Sequence, residues 1–187
     1  MASTFPTSLD TFTNPTATSL LTSPSHAQQH SDINDAVEAL ETKVAIGNTV
    51  LGTYTAYTPS FAGGVTIGNG VGTGAYCRVN DFVHVYGIFT LGSTSAVTGG
   101  ISVDVPIQIN SGMRSTSMIY GFVNYLDAST SERYDGGTLF DGTATSVALR
   151  IQVSSGTYVA SAALSATVPF TWTTSDKILW NLYYRAA

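Results

Sequence analysis

The stretch "GAYCRVNDFVHVYGIFTLG", Gly74 to Gly92, decides the fold class. Its apolar residues alternate: Phe82, Tyr86 and Ile88 fall on one side of an extended chain, and Val83, Val85, Phe89 and Leu91 on the other. That period of two is the mark of a strand, and Asn80-Asp81 breaks the stretch into two strands joined by a turn. The same reading extends along the chain from about Thr53. "LFDGTATSVALRIQVSSGTYVASAAL" carries turn signals at Asp141-Gly142 and Ser155-Gly156, and "VPFTWTTSDKILWNLYYRA" reads as two further strands around Thr174-Ser175. Some eight strands at this spacing predict a mainly β protein, an antiparallel β-sandwich or jelly-roll head.

Two of these strands are apolar on both faces. In the last one Ile178, Trp180, Leu182 and Tyr184 oppose Leu179 and Tyr183. One face can line a core; the other has to meet a second sheet or a neighbouring subunit.

One segment breaks the β pattern. In "SPSHAQQHSDINDAVEALETKV", Ser23 to Val44, the residues Ile33, Val37, Leu40 and Val44 follow steps of 4, 3 and 4, the spacing of a coiled-coil seam. The same register carried backwards puts His30 and His26 on the seam. Ser23-Pro24 is a start signal, Ser31 or Asp32 a second one, and Gly47 a stop. A helix of a few turns is marginal alone in water, so its apolar stripe has to be covered by the β block or by copies of itself. Copies of itself are the expectation, with residues 25–50 as a helical stalk and 51–187 as the head.

Residues 1–24 are rich in Ser and Thr, with Pro6, Pro15 and Pro24, and show neither period. Such a segment does not fold alone. Its spaced Phe5, Leu9, Phe12, Leu20 and Leu21 suit an extended arm that gains order against another surface.

Composition narrows the function. Charged residues make up 10% of the chain, and its net charge of −5 with scattered Lys and Arg gives no basic patch for nucleic acid. No apolar run is long enough to span a membrane, and "MASTFPTSLD" lacks the hydrophobic centre of a secretory signal. The single Cys77 excludes an internal disulfide, fits a reducing cytosol and reads as a packed or half-exposed strand residue, not a nucleophile.

The histidines have two readings. His26 and His30 have the i, i+4 spacing that lets two imidazoles share a metal, and three chains on one axis would bring six; equally, they are polar positions that set register. His84 alternates with Phe82 and Tyr86 and reads as a core histidine held by a hydrogen bond. The glycine string "IGNGVGTGAY" lacks the Gly-Lys-Ser/Thr ending of a phosphate loop and is a β connection. The acidic loop "LDASTSERYDGG" groups Asp127, Glu132 and Asp135 as a solvated tip or a ligand contact. There is no Gly-x-Ser-x-Gly elbow and no metal-protease helix, so no enzyme and no cofactor are expected.

Two of these segments together resemble a known group. "FPTSLDTFTNPT…SPSHAQQHSDINDAVEALETKV" resembles the N-terminal segment of many tailed-bacteriophage virion proteins, and "YTPSF…IGNG…GAYCRVNDFVHVYGIFTLGS" is similar to head modules of phage fibre and tail proteins. The resemblance implies a homotrimer assembled in the bacterial cytoplasm and located on the virion. It implies an attachment arm (Phe5, Pro6, Leu9, Phe12, Leu20, Leu21), a three-helix stalk (His26, His30, Ile33, Val37, Leu40, Val44) and a jelly-roll head. The seam residues by themselves, with Val at a and Ile and Leu at d, lean towards two strands; the three comes from the resemblance. Two roles follow: a capsid decoration or head-fibre protein whose arm grips the major capsid protein or another virion protein, or a minor tail fibre touching host surface glycans. For the second role the candidate tip contacts are Tyr125, Asp127, Tyr134 and Asp135.

Overall fold

The computed structural model describes residues 26–44, 52–115 and 118–187. They belong to two units, one ending at Thr53 and one running from Tyr54 to Ala187. In the first unit a single helix, α1, spans His26–Val44 without interruption, so the turns upstream of Ser31 join the main helix rather than forming a separate one. The arm positions Phe5, Pro6, Leu9, Phe12, Leu20 and Leu21 lie outside the described residues, as do the start and stop signals at Ser23, Pro24 and Gly47.

The second unit is mainly β. In chain order it contains β1 (Thr55–Tyr57), β2 (Phe61–Thr66), β3 (Val71–Val79), β4 (Phe82–Thr90), β5 (Ala96–Asp104), β6 (Ile119–Leu126), β7 (Arg133–Phe140), β8 (Ser146–Ser155), β9 (Tyr158–Ala163) and β10 (Lys177–Arg185). All pairings are antiparallel, and the strands lie in the order β1-β3-β4-β10-β6-β7-β8-β5-β2, with β9 beside the far half of β8. The hairpins at Asn80-Asp81, Asp141-Gly142 and Ser155-Gly156 form where turn residues predict them; Asn80, Gly142 and Gly156 take the positive φ such turns need.

The sheet curls over itself. Phe61 on β2, the last strand in the order, packs its ring 4.8 Å from Phe89 on β4 and 5.7 Å from Trp180 on β10. A bulge helps: the register of β2 against β5 shifts between Gly63 and Val65, and Gly63 sits at φ 91°, in the region glycine tolerates best. The inward rows form one core, with Val83, Val85 and Phe89 from β4, Ile178, Trp180, Leu182 and Tyr184 from β10, and Val147, Leu149 and Ile151 from β8 all buried. Gly87 makes room there: a Cβ on it would lie 2.2 Å from Trp180 Cζ2, so the indole occupies the space a side chain would take.

One strand reading needs correction. "VPFTWTTSDKILWNLYYRA" supplies one strand, β10, not two. The preceding residues run irregularly and deliver Phe170 and Trp172 to the core, their rings 4.6 Å apart, while Trp172 Nε1 donates to the Ser165 carbonyl at 2.9 Å. Aromatic spacing there reflects anchoring, not a strand period.

Asp176 is buried and tightly held. Its Oδ1 accepts from the Ala128 N–H at 2.9 Å and its Oδ2 from the Thr173 N–H at 2.5 Å, tying the β6–β7 loop to the entry of β10. A buried carboxylate needs such partners, and here two backbone N–H groups supply them.

Candidate functional site: two uncovered apolar surfaces

The first surface is one side of α1. His26, His30, Ile33, Val37 and Leu40 all lie on the exposed side, with Ile33 53%, Val37 46% and Leu40 53% accessible. Leu and Ile side chains at that exposure retain most of the cost of apolar hydration. Val44 is the last residue of the helix. At the leading end the Nε2 atoms of His26 and His30 approach to 3.0 Å, with the rings edge to face.

The second surface is the outer face of the sheet. The alternation that sends Val83, Val85 and Phe89 inward sends Phe82, His84, Tyr86 and Ile88 outward, and on β10 it sends Leu179, Asn181 and Tyr183 outward. Register then joins the strands into rows: Tyr86 lies opposite Asn181 and Asn181 opposite Phe122, while Ile88, Leu179, Asn124 and Asp135 form the next row. Phe82, Tyr86, Phe122, Tyr183 and the neighbouring Tyr54 are all exposed. A run of large apolar side chains on one sheet face, unlike a scattered few, marks a contact surface.

Within this face the polar groups are bonded to one another. Tyr54 Oη lies 2.5 Å from His84 Nδ1, and His84 Nε2 lies 2.7 Å from Asn181 Oδ1. With Asn181 accepting through its carbonyl oxygen, the proton sits on Nε2 and the phenol donates to Nδ1. The imidazole stacks on Tyr183 at 4.6 Å with an interplanar angle of 12°. Desolvation among these groups, and then a hydrogen bond with the Cys77 thiol, push the Tyr54 phenol above its usual range. His84 is therefore not a core histidine: it is half-exposed on the outer face, with both ring nitrogens bonded. Cys77 is half-buried on β3 as expected.

Beside the aromatic strip lies a shallow groove of about 550 Å³, lined by Tyr86, Phe122, Leu179 and Asn181 with Asn124, Arg133 and Asp135 at its edge. Arg133 donates to Asn124 Oδ1 at 2.9 Å, and Asn124 Nδ2 donates to Asp135 Oδ1 at 2.9 Å. Amide, guanidinium and carboxylate are thereby linked in one hydrogen-bonded chain beside the Tyr86 and Phe122 side chains.

The four tip contacts expected from sequence lie around the β6–β7 hairpin, with Tyr125 opposite Tyr134, but do not share one exposed face. Tyr125 has no exposed surface; its hydroxyl donates to the Arg150 carbonyl at 3.1 Å, and burial pushes its phenol well up, so it is a core residue and not a surface contact. Tyr134 turns inward too, its ring 5.3 Å from Phe170, while its hydroxyl donates to Glu132 Oε2 at 2.7 Å. Asp127 holds its own turn: hydrogen bonds from the Ser129 hydroxyl and N–H keep its carboxyl below the usual range. Asp135 alone reaches the outer face, as the end of the Arg133–Asn124 chain. The residues that gather there instead, Phe122, Asn124, Arg133 and Asn181, share the outward parity of β6, β7 and β10, a signal present in the alternation.

Among the described residues no group of three or more His, Cys, Asp or Glu is placed to hold a metal within one chain. No described helix is long and apolar enough to cross a membrane. Both surfaces expose large apolar side chains, and the histidines on them are hydrogen-bonded. Comparison with protein-family models, with curated proteins and with solved structures finds no match to this chain.

Proposed function

We propose that the chain is a structural protein of a tailed-phage virion, a homotrimer that decorates the capsid or forms a short head fibre. The observation that carries this reading is the uncovered seam of α1, where Ile33, Val37 and Leu40 stand at least 46% exposed in the single chain. A stripe of that kind is stable in water only when covered, and its 3–4 spacing fits the same stripe on sister helices in a coiled coil. The outer sheet face adds a second area for sister chains, and a jelly-roll closure of the curled sheet would leave that face free to meet them. Phe5, Pro6, Leu9, Phe12, Leu20 and Leu21 then form the arm that grips the major capsid protein or another virion protein. Three arms engaged together act through effective concentration, so individually weak contacts hold.

A minor tail fibre that touches host glycans is the second reading, and one observation favours it. The groove sets Tyr86 and Phe122 beside Asn124, Arg133 and Asp135, a pairing of aromatic with planar polar side chains that suits sugar rings and their hydroxyls. Copy number separates the two roles: hundreds of chains per particle for decoration, a few for a fibre.

Light scattering on the purified protein tests the assembly. The expected mass is near three times the 19.6 kDa of one chain; a monomer overturns the reading. Deleting residues 2–22 should abolish binding to particles and leave the trimer whole, and full retention on particles would move the attachment site elsewhere.

A further inference from the structure

The seam of α1 does not end with its apolar residues. Stepping back from Ile33 by 3 and then 4 gives His30 and His26, so the two imidazoles occupy the next two layers of the same stripe. Both are exposed, and their Nε2 atoms lie 3.0 Å apart. Side chains on a helix lean towards its N-terminus, which puts i and i+4 one above the other. The two Nε2 atoms therefore meet between the layers, bonded to each other, and a turn of the rings about their side-chain torsions would direct both lone pairs at one ion.

We infer that His26 and His30 form a site for a single divalent transition-metal ion, completed by the same pair from two sister chains. The distance is the ground for it. Metal–imidazole bonds of about 2.1 Å set at right angles place their donor atoms about 3.0 Å apart. The donor spacing of two neighbouring octahedral corners is thus already present in one chain, and three chains around an axis would supply six donors. Imidazole suits ions such as Ni²⁺, Zn²⁺ and Cu²⁺, and six equivalent nitrogens favour an ion that accepts octahedral geometry, Ni²⁺ foremost. Each ring would bind neutral through Nε2, with its proton on Nδ1, so the ion replaces the present Nε2···Nε2 hydrogen bond. A cation in the first turns of a helix works against the helix dipole. Chelation by two groups held on one rigid face outweighs that effect, since their relative position is set before binding.

This inference rests on the proposed trimer, and the test separates the two. Protein without an affinity tag is titrated with NiCl₂ by calorimetry, its mass is followed by light scattering, and the nickel shell is read by X-ray absorption. The expected result is a trimer that binds one Ni²⁺ per three chains through six nitrogen neighbours, with the helix melting at higher temperature in its presence. His30→Gln and His26→Gln should each lose saturable binding while keeping the trimer mass and the helical circular dichroism. A trimer that binds no Ni²⁺ overturns the site alone and leaves the pair as a hydrogen-bonded register device. One ion per chain within a trimer overturns the shared site in favour of a two-histidine surface chelate. A monomer, with or without bound nickel, overturns the shared site together with the assembly.

Discussion

The helix and the β unit meet the same requirement in opposite ways. In the β unit the inward rows are covered by other strands of the same chain: Val83, Val85, Phe89, Ile178 and Leu182 have no exposed surface. In α1 the apolar row is about half exposed, and its leading end carries two histidines instead of more leucines. One region completes its own core; the other has a stripe with the right spacing that stays about half exposed. The difference teaches that burial within one chain reports on folding, while patterned exposure reports on assembly.

Substitutions that damage each region should have separable consequences. The largest loss is expected at Trp180, which is 2% exposed and fills the space beneath Gly87. Trp180→Ala should destabilise the β unit by about 3–5 kcal/mol through the cavity it leaves. Urea unfolding followed by aromatic circular dichroism measures this; a midpoint equal to the parent's would mean that the indole carries little of the core.

Asp176→Ala comes next. It leaves the N–H groups of Ala128 and Thr173 without their acceptor. The expected cost is about 2–4 kcal/mol, with the β6–β7 loop gaining hydrogen exchange first. If only surface amides far from Ala128 speed up, the carboxylate is not the clamp described.

A milder loss is expected in alkali. Burial pushes the Tyr57 phenol up from 10.0 to about 12. A group whose folded pKa is raised stabilises the fold fully below its unfolded pKa and loses that contribution as pH climbs through the folded one. Stability should therefore fall between pH 10.0 and about 12, by about 2 kcal/mol from this residue. Tyr184, also raised by burial, extends the fall to higher pH. Tyr57→Phe should flatten the first part of that curve; an unchanged slope would show that the phenol ionises without cost.

The smallest effect on the β unit, and the sharpest contrast, belongs to Leu40→Asp. The unfolding midpoint of the head should not move, because Leu40 contributes nothing to the core residues. The assembly mass should drop from three chains to one, since a carboxylate on a packed seam is costly to bury. A trimer that survives this change would show that the sheet face, not the seam, holds the chains together.

Much of the β unit was legible because its strands obey one simple geometric rule. Successive side chains point to opposite faces, so the partition of Phe82 to Leu91 and of Ile178 to Tyr184 follows from spacing alone. Turn positions at Asn80, Gly142 and Gly156 follow from the residues that tolerate positive φ. Tyr125 is no tip contact for a related reason. Tyr125 alternates in phase with Val123 and goes inward with it, although its polar tip suggested a surface role. Likewise His84 shares its parity with Phe82 and Tyr86; whether that row was core or surface was not written in the parity.

Sequence by itself determined the periods: two along the strands, three and four along the helix, and none along the arm. Those are properties of covalent geometry and of which side chains avoid water, and they need no knowledge of distant residues. Only the tertiary structure decided which row faces in, because that depends on how the sheet curls and which strands lie opposite. Folding brought Phe61 onto Trp180, linked Arg133, Asn124 and Asp135 in a hydrogen-bonded chain, and left Phe122 and Tyr86 outside. Contacts between residues far apart in the chain depend on the whole set of pairings, so no local stretch contains them.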